Sequence, residues 1–64
     1  MLTLAEKATF VDVLLSYERI SVSRAVRLTK MDLIRRGLFS PSSKRTFERF
    51  AHNWKTWNKT REIL

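Results

Sequence analysis

Cysteine is missing from this sequence of 64 residues, and histidine, glycine and proline occur once each. Without cysteine there are no disulfides and no thiolate ligands, and a single histidine leaves a transition-metal site without its usual ligands. One glycine cannot build a glycine-rich phosphate loop. We therefore expect no metal ion, no cofactor and no nucleotide-binding loop.

Side chains suited to catalysis are also sparse. His52 is the only imidazole, and its neighbours Asn53 and Lys55 are polar, as on a solvent-exposed helix face. A nucleophilic triad needs a base beside a nucleophile and a third group that orients the base. The six carboxylates are dispersed, and helix capping and ion pairing explain them. The sequence predicts that this protein is not an enzyme.

No apolar run approaches the roughly 18 residues that a membrane-spanning helix needs. Charged residues such as Glu6 and Asp12 interrupt the N-terminal region, which therefore does not resemble a signal peptide. We expect a chain complete from Met1, soluble and cytoplasmic, with a single domain over residues 1–64 and no membrane partner. A domain of this size is marginally stable, which favours a homodimer.

Positive charge is the most informative feature of the composition. Thirteen Lys and Arg against six Asp and Glu give a net charge of +7. Residues 1–20 carry two basic and three acidic residues, whereas residues 21–64 carry eleven basic and three acidic ones. This asymmetry predicts a polyanionic partner for the C-terminal two-thirds. The alternative is a basic surplus that only keeps a small protein in solution.

The scarcity of glycine and proline favours helices over a β-sheet with its many turns. Apolar periodicity predicts an all-α fold, a compact three-helix domain with helices over residues 4–18, 22–36 and 43–61. The first helix begins with the capping-box spacing of Thr3 and Glu6. Its two apolar rows predict a broad inward face. The rows are Leu4, Ala8, Val11, Leu15 and Phe10, Val13, Leu14, Tyr17.

The second helix has candidate N-caps at Ser21 and Ser23, and Gly37 suits its C-terminal end. A further cap at Thr29 would split it into two short helices, in outline a helix-turn-helix. A continuous helix is favoured, because no helix breaker lies within residues 22–36. Its predicted inward residues are Val22, Ala25, Val26, Leu33 and Ile34.

The third helix is aromatic on one side and basic on the other, and it begins between Pro41 and Lys44. Its inward stripe is Phe47, Phe50, Ala51, Trp54 and Trp57. The basic side predicts nucleic-acid binding, to DNA rather than RNA, by electrostatic docking on phosphates. An ordinary solvated helix surface is the alternative. The candidate nucleic-acid contacts are Arg24, Arg27, Lys44, Arg45, Arg49, Lys55 and Lys59.

Aromatic and apolar residues outside the main stripes support a second hypothesis. Exposed aromatics flanked by arginine are typical of protein-interface hot spots. They would make this chain a protein–protein interaction module that modulates a partner protein. The candidate interface residues are Phe39, Trp57, Leu28 and Met31.

The chain resembles the small accessory and regulatory proteins of temperate, lambdoid-type bacteriophages. The resemblance rests on its size, its lack of cysteine and its basic helical character, with patterned segments at Thr3–Glu6 and Phe47–Trp57. It implies a non-catalytic role in transcription regulation, through host or phage regulatory machinery. It assigns no role to individual residues.

Overall fold

The computed structural model describes residues 1–63, with side chains described for residues 1–54. It confirms the predicted all-α three-helix fold, with α1 at Leu4–Ser16, α2 at Val22–Arg35 and α3 at Lys44–Ile63. None of the residues so described lies in a β-strand. α1 packs on α2, and α2 packs on α3.

The helix ends follow local capping signals. The predicted capping box is present: the Thr3 hydroxyl accepts from the Glu6 N–H at 3.1 Å, and the Glu6 carboxylate accepts from the Thr3 N–H at 2.9 Å. Ser21 caps α2 by accepting from the Arg24 N–H. Gly37, with a φ of 73°, closes α2 in the left-handed conformation that glycine adopts without strain.

α2 is continuous, as favoured from the sequence, and the split into two short helices is wrong. The Thr29 hydroxyl does not cap a new helix; it donates to the Ala25 carbonyl at 2.8 Å, one turn back. Thr29 is fully buried at this position. A hydroxyl that donates its hydrogen bond to a carbonyl of the preceding turn leaves the helix unbroken.

The core lies where the three helices meet. Phe10 of α1 and Phe47 of α3 are fully buried, with ring centroids 5.0 Å apart in an edge-to-face arrangement. Such pairs add roughly 0.5–1.5 kcal/mol to the burial of the rings themselves. Phe50 packs against the same core and Trp54 is half-buried. The side chain of Trp57 lies outside the described residues.

One of the two apolar rows predicted to face inward on α1 is largely exposed. Leu4 is 83% exposed and Leu15 69%, Ala8 is exposed and Val11 is half-buried. The other helices cover mainly the side of α1 that carries Phe10, so most of this row is left uncovered. Tyr17 belongs to the second predicted row, which also contains Phe10, and it is exposed as well.

Smaller corrections concern α2 and the helix boundaries. Ile34 was predicted inward but is 71% exposed, because the adjacent Leu33 takes the fully buried position. α1 ends at Ser16 rather than 18, since Tyr17 has extended backbone angles. α2 ends one residue earlier than predicted, and α3 spans 44–63 rather than 43–61.

Among the described residues, no helix has an apolar stretch of the length that crossing a membrane requires.

Candidate nucleic-acid interface

Glu6 is a fully buried carboxylate in a chain with few acidic groups. Besides the Thr3 N–H, it accepts hydrogen bonds from the Ser40 hydroxyl at 2.7 Å, the Ser42 hydroxyl at 2.7 Å and the Ser42 N–H at 3.1 Å. These four bonds fill the acceptor sites of an ionised carboxylate. A residue that caps α1 therefore also holds the α2–α3 connection.

The hydrogen bonds determine the charge state of Glu6. Burial by itself raises the pKa of a carboxyl group, because it penalises the charged form. Here the bonds from Thr3, Ser40 and Ser42 outweigh burial and lower the pKa of Glu6 from 4.5 to about 2. The carboxylate is therefore ionised at neutral pH despite its burial.

Lys30 of α2 reaches the same connection from the other side. Its ammonium group donates to the Ser40 carbonyl and hydroxyl, both at 3.2 Å, and to the Ser42 carbonyl at 2.7 Å. It also lies 5.3 Å from the centre of the Phe47 ring. We call Glu6, Lys30, Ser40 and Ser42 the anchor cluster. It joins α1, α2 and the connection into α3.

A groove of about 700 Å³ lies between α3 and the N-terminal part of the chain. Three of its lining residues are basic and none is acidic, so we call it the basic groove. Arg45 and Arg49 stand one turn apart on α3, and Lys7 faces them from α1. The lining residues are Met1, Leu2, Lys7, Ser43, Arg45, Thr46, Arg49, Phe50 and Asn53.

The cations of the basic groove have no anionic partner in the described part of the chain. Arg45 and Arg49 are exposed and appear in none of its ion pairs, which join Arg36 to Asp32 and Lys44 to Glu48. Lys7 lies 6.0 Å from the centre of the Phe50 ring, the outer limit for a cation–π contact. These three positive charges remain available to a ligand.

The structure does not bring all seven predicted nucleic-acid contacts together. Arg45 and Arg49 share the basic groove, whereas Arg24 and Arg27 are exposed on α2 and do not line it. Lys44 is exposed and forms a 3.7 Å ion pair with Glu48. The side chains of Lys55 and Lys59 lie outside the described residues.

The predicted protein-interface residues are distributed over α2 and the connection that follows it. Leu28 and Met31 line a second groove, of about 300 Å³, between α1 and α2. Phe39 is 82% exposed, on the connection before α3. Trp57 has its side chain outside the described part of the chain.

Lys7 is the functional candidate that the sequence did not single out. It lies in the acidic first third of the chain, so the charge asymmetry did not indicate Lys7 as a contact. Asn53, which the sequence places on the polar side of α3 within reach of phosphates or base edges, lines the groove beside Arg49. Only the packing of α1 beside α3 shows that Lys7 and Arg45 share one groove.

Within residues 1–54, no three His, Asp or Glu side chains are grouped closely enough to hold a metal ion. Comparison of the chain with protein-family models, curated proteins and solved structures gave no match. Function is therefore inferred from the residues and their geometry.

Proposed function

We propose that this protein is a non-catalytic regulatory module that binds nucleic acid, duplex DNA in the first place, through the basic groove. The observation that carries the proposal is the convergence of Lys7, Arg45 and Arg49 on one groove with no acidic residue in its lining. Polyanions bind such surfaces because basic side chains neutralise phosphates and release condensed counterions.

The two arginines would supply most of the binding. Side chains four residues apart on a helix are neighbours, so Arg45 and Arg49 present two guanidinium groups side by side. Each guanidinium can bind phosphate oxygens through two parallel hydrogen bonds. Lys7 adds a third positive charge across the groove. Asn53 can donate and accept hydrogen bonds, to a phosphate or to a base edge.

Three basic residues make few phosphate contacts, so the expected affinity of a monomer is modest. Sequence readout is limited as well, because phosphate contacts position a protein without distinguishing bases. The groove thus favours a module that adds contacts to a larger regulatory assembly. The phage setting and the cytoplasmic location stay predictions.

The test is a titration of fluorescein-labelled duplex DNA by fluorescence anisotropy, at about 50 and about 200 mM salt. We expect binding at the lower salt and a loss of at least about tenfold at the higher salt, as for roughly two or three phosphate contacts. No binding at the lower salt would contradict the proposal.

Two double variants locate the binding surface. Arg45→Ala with Arg49→Ala should weaken binding and lower the slope of log affinity against log salt by about two. Arg24→Ala with Arg27→Ala removes the same charge from exposed positions of α2 and is the matched control. Equal losses in both variants would show that the total charge, rather than the basic groove, attracts DNA.

A protein–protein interaction module is the second candidate, favoured by the exposed aromatic Phe39 and by the groove that Leu28 and Met31 line. An interface built on apolar anchors depends little on salt. Absence of DNA binding at either salt concentration would therefore make this candidate the better one.

A further inference from the structure

The exposed row of α1 has the spacing of a coiled-coil seam. Leu4, Ala8, Val11 and Leu15 follow one another at intervals of four, three and four residues, as alternating a and d positions do. We call these four residues the outer row. Phe10, on the other side of α1, packs against α3; in the outer row Leu4, Ala8 and Leu15 are exposed and Val11 is half-buried.

A charged residue flanks the outer row on each side. Lys7 lies on one side of the row and Asp12 on the other, in the positions labelled g and e of the heptad. Neither side chain forms an ion pair within the described residues. The row itself carries no charge and no polar side chain.

We propose that the outer row binds a second copy of this chain, with the two α1 helices parallel. In a parallel pair, a g residue lies beside the e residue five positions further along the facing helix. Lys7 then meets Asp12 of the partner subunit, and the two-fold axis repeats the contact. The surface is therefore complementary to itself in charge.

The parallel orientation follows from the same charges. In an antiparallel pair, g residues face g residues, which places the side of α1 that carries Lys7 against the same side of its partner. Like charges at such positions disfavour an arrangement. A second copy of the chain places its own Asp12 beside Lys7, so no other protein is required as the partner.

The outer row is small for an interface. Stable dimers bury about 1,200 Å² or more in total, with roughly 20 residues on each side. One helix face of four apolar residues falls well below this size. The dimer is therefore weak and depends on protein concentration. It does not rest on DNA binding. Because Lys7 pairs with Asp12 across the seam, each basic groove of the dimer keeps Arg45 and Arg49 as its unpaired cations.

Sedimentation velocity of the whole chain tests the proposal. Between about 10 µM and about 1 mM, we expect the mass to rise from monomer towards dimer, as for an interface below the standard size. Leu15→Glu should raise the dimer dissociation constant at least about tenfold, because it places a carboxylate in the seam.

Ile34→Glu is the matched control, because Ile34 is 71% exposed and Leu15 69%, on different helices. Circular dichroism establishes that both variants are folded. A wild-type chain that stays monomeric throughout overturns the proposal, as does a dimer that Leu15→Glu leaves intact.

Cysteine cross-linking tests the orientation, and the absence of native cysteine makes the result unambiguous. Leu4 and Leu15 lie eleven residues apart, about 16 Å along the helix. In a parallel pair, Leu4→Cys and Leu15→Cys each form a disulfide-linked dimer alone. Cross-linking only when the two variants are mixed would show an antiparallel pair and overturn the proposed orientation.

Charge exchange tests the Lys7–Asp12 contact separately. Asp12→Lys should weaken the dimer, because two like charges then meet across the seam. Adding Lys7→Asp to the same chain restores opposite charges and should recover the wild-type dissociation constant. Failure of the double variant to recover it, with the fold intact, would remove the charge contact from the proposal.

Discussion

Two groups of cations in this small domain have opposite surroundings. Lys30 of the anchor cluster donates to three oxygen atoms of Ser40 and Ser42 and is half-buried. Arg45 and Arg49 of the basic groove are exposed and have no ion-pair partner in the described part of the chain. The positive charges of this domain therefore do not all serve one function. Lys30 stabilises the fold, whereas Arg45 and Arg49 face solvent.

The two groups are nevertheless connected through the chain. Ser40 and Ser42, which the anchor cluster holds, lie directly before α3. Their position determines where α3 begins, and Arg45 and Arg49 occupy its first two turns. We infer that the anchor cluster positions the basic groove without lining it. Loss of the cluster should reduce stability first, and DNA binding only through the fold.

The largest expected effect is that of Glu6→Ala on stability. The substitution leaves the partly buried donors of Thr3, Ser40 and Ser42 without their acceptor, at an expected loss of about 3 kcal/mol. Because a domain of this size is marginally stable, the variant should be largely unfolded at room temperature. Thermal unfolding followed by circular dichroism measures the loss.

Glu48→Ala is the control for this experiment. Glu48 is an exposed carboxylate that forms an ion pair with Lys44, one turn away on the same helix. Exposed pairs of this type contribute about 0.3–0.5 kcal/mol. Similar losses for the two variants would contradict a special role for Glu6.

Acid should remove a comparable amount of stability. The pKa of Glu6 is about 2 in the folded protein and 4.5 ordinarily, so the ionised group stabilises the fold above pH 4.5. This contribution, up to about 3 kcal/mol, is lost as the pH falls from 4.5 towards 2. Urea unfolding at several pH values measures the loss.

The carboxamide variant Glu6→Gln isolates the contribution of Glu6 to this pH dependence. It keeps the size of the side chain and cannot ionise, so its stability should change less between pH 5 and pH 2 than that of the wild type. An unchanged pH dependence in Glu6→Gln would assign the acid sensitivity to other carboxylates.

Lys30→Met should have a smaller effect, about 1–2 kcal/mol, because it removes three hydrogen bonds but retains most of the apolar stem. DNA affinity, corrected for the folded fraction, should stay within about twofold of the wild type, since Lys30 does not line the basic groove. A large loss of DNA affinity in the folded variant would show that Lys30 also contributes to DNA binding and would contradict the separation of the two groups of cations.

Lys7→Met should have the smallest effect on stability, below about 0.5 kcal/mol, since Lys7 is exposed and its one ring contact lies at 6.0 Å. It should nevertheless lower the slope of log affinity for DNA against log salt by about one. An unchanged salt slope would remove Lys7 from the binding surface.

Local signals in the sequence predicted the fold well. The cap at Thr3, the closing glycine Gly37 and the serines before α3 act over a few residues, and all three mark helix ends in the structure. Periodicity also identified the buried residues Phe10 and Phe47. These features depend on neighbours in the chain, which a sequence shows directly.

Contacts between residues far apart in the chain could not be predicted from the sequence. The hydrogen bonds that Ser40 and Ser42 donate to Glu6 join residues more than 30 positions apart, and no local pattern specifies them. Periodicity indicated two apolar rows on α1 but not which one the other helices cover. That depends on helix packing, which also brings Lys7 beside Arg45.

The most direct test of the account is an NMR titration of the ¹⁵N-labelled protein with duplex DNA at low salt. We predict that shifts concentrate on residues 43–53 and Lys7, including the side-chain N–H groups of Arg45 and Arg49. Lys30 and Ser40 should shift little. Shifts centred on Arg24 and Arg27, or spread evenly over all basic residues, would contradict the division of charge between anchor cluster and basic groove.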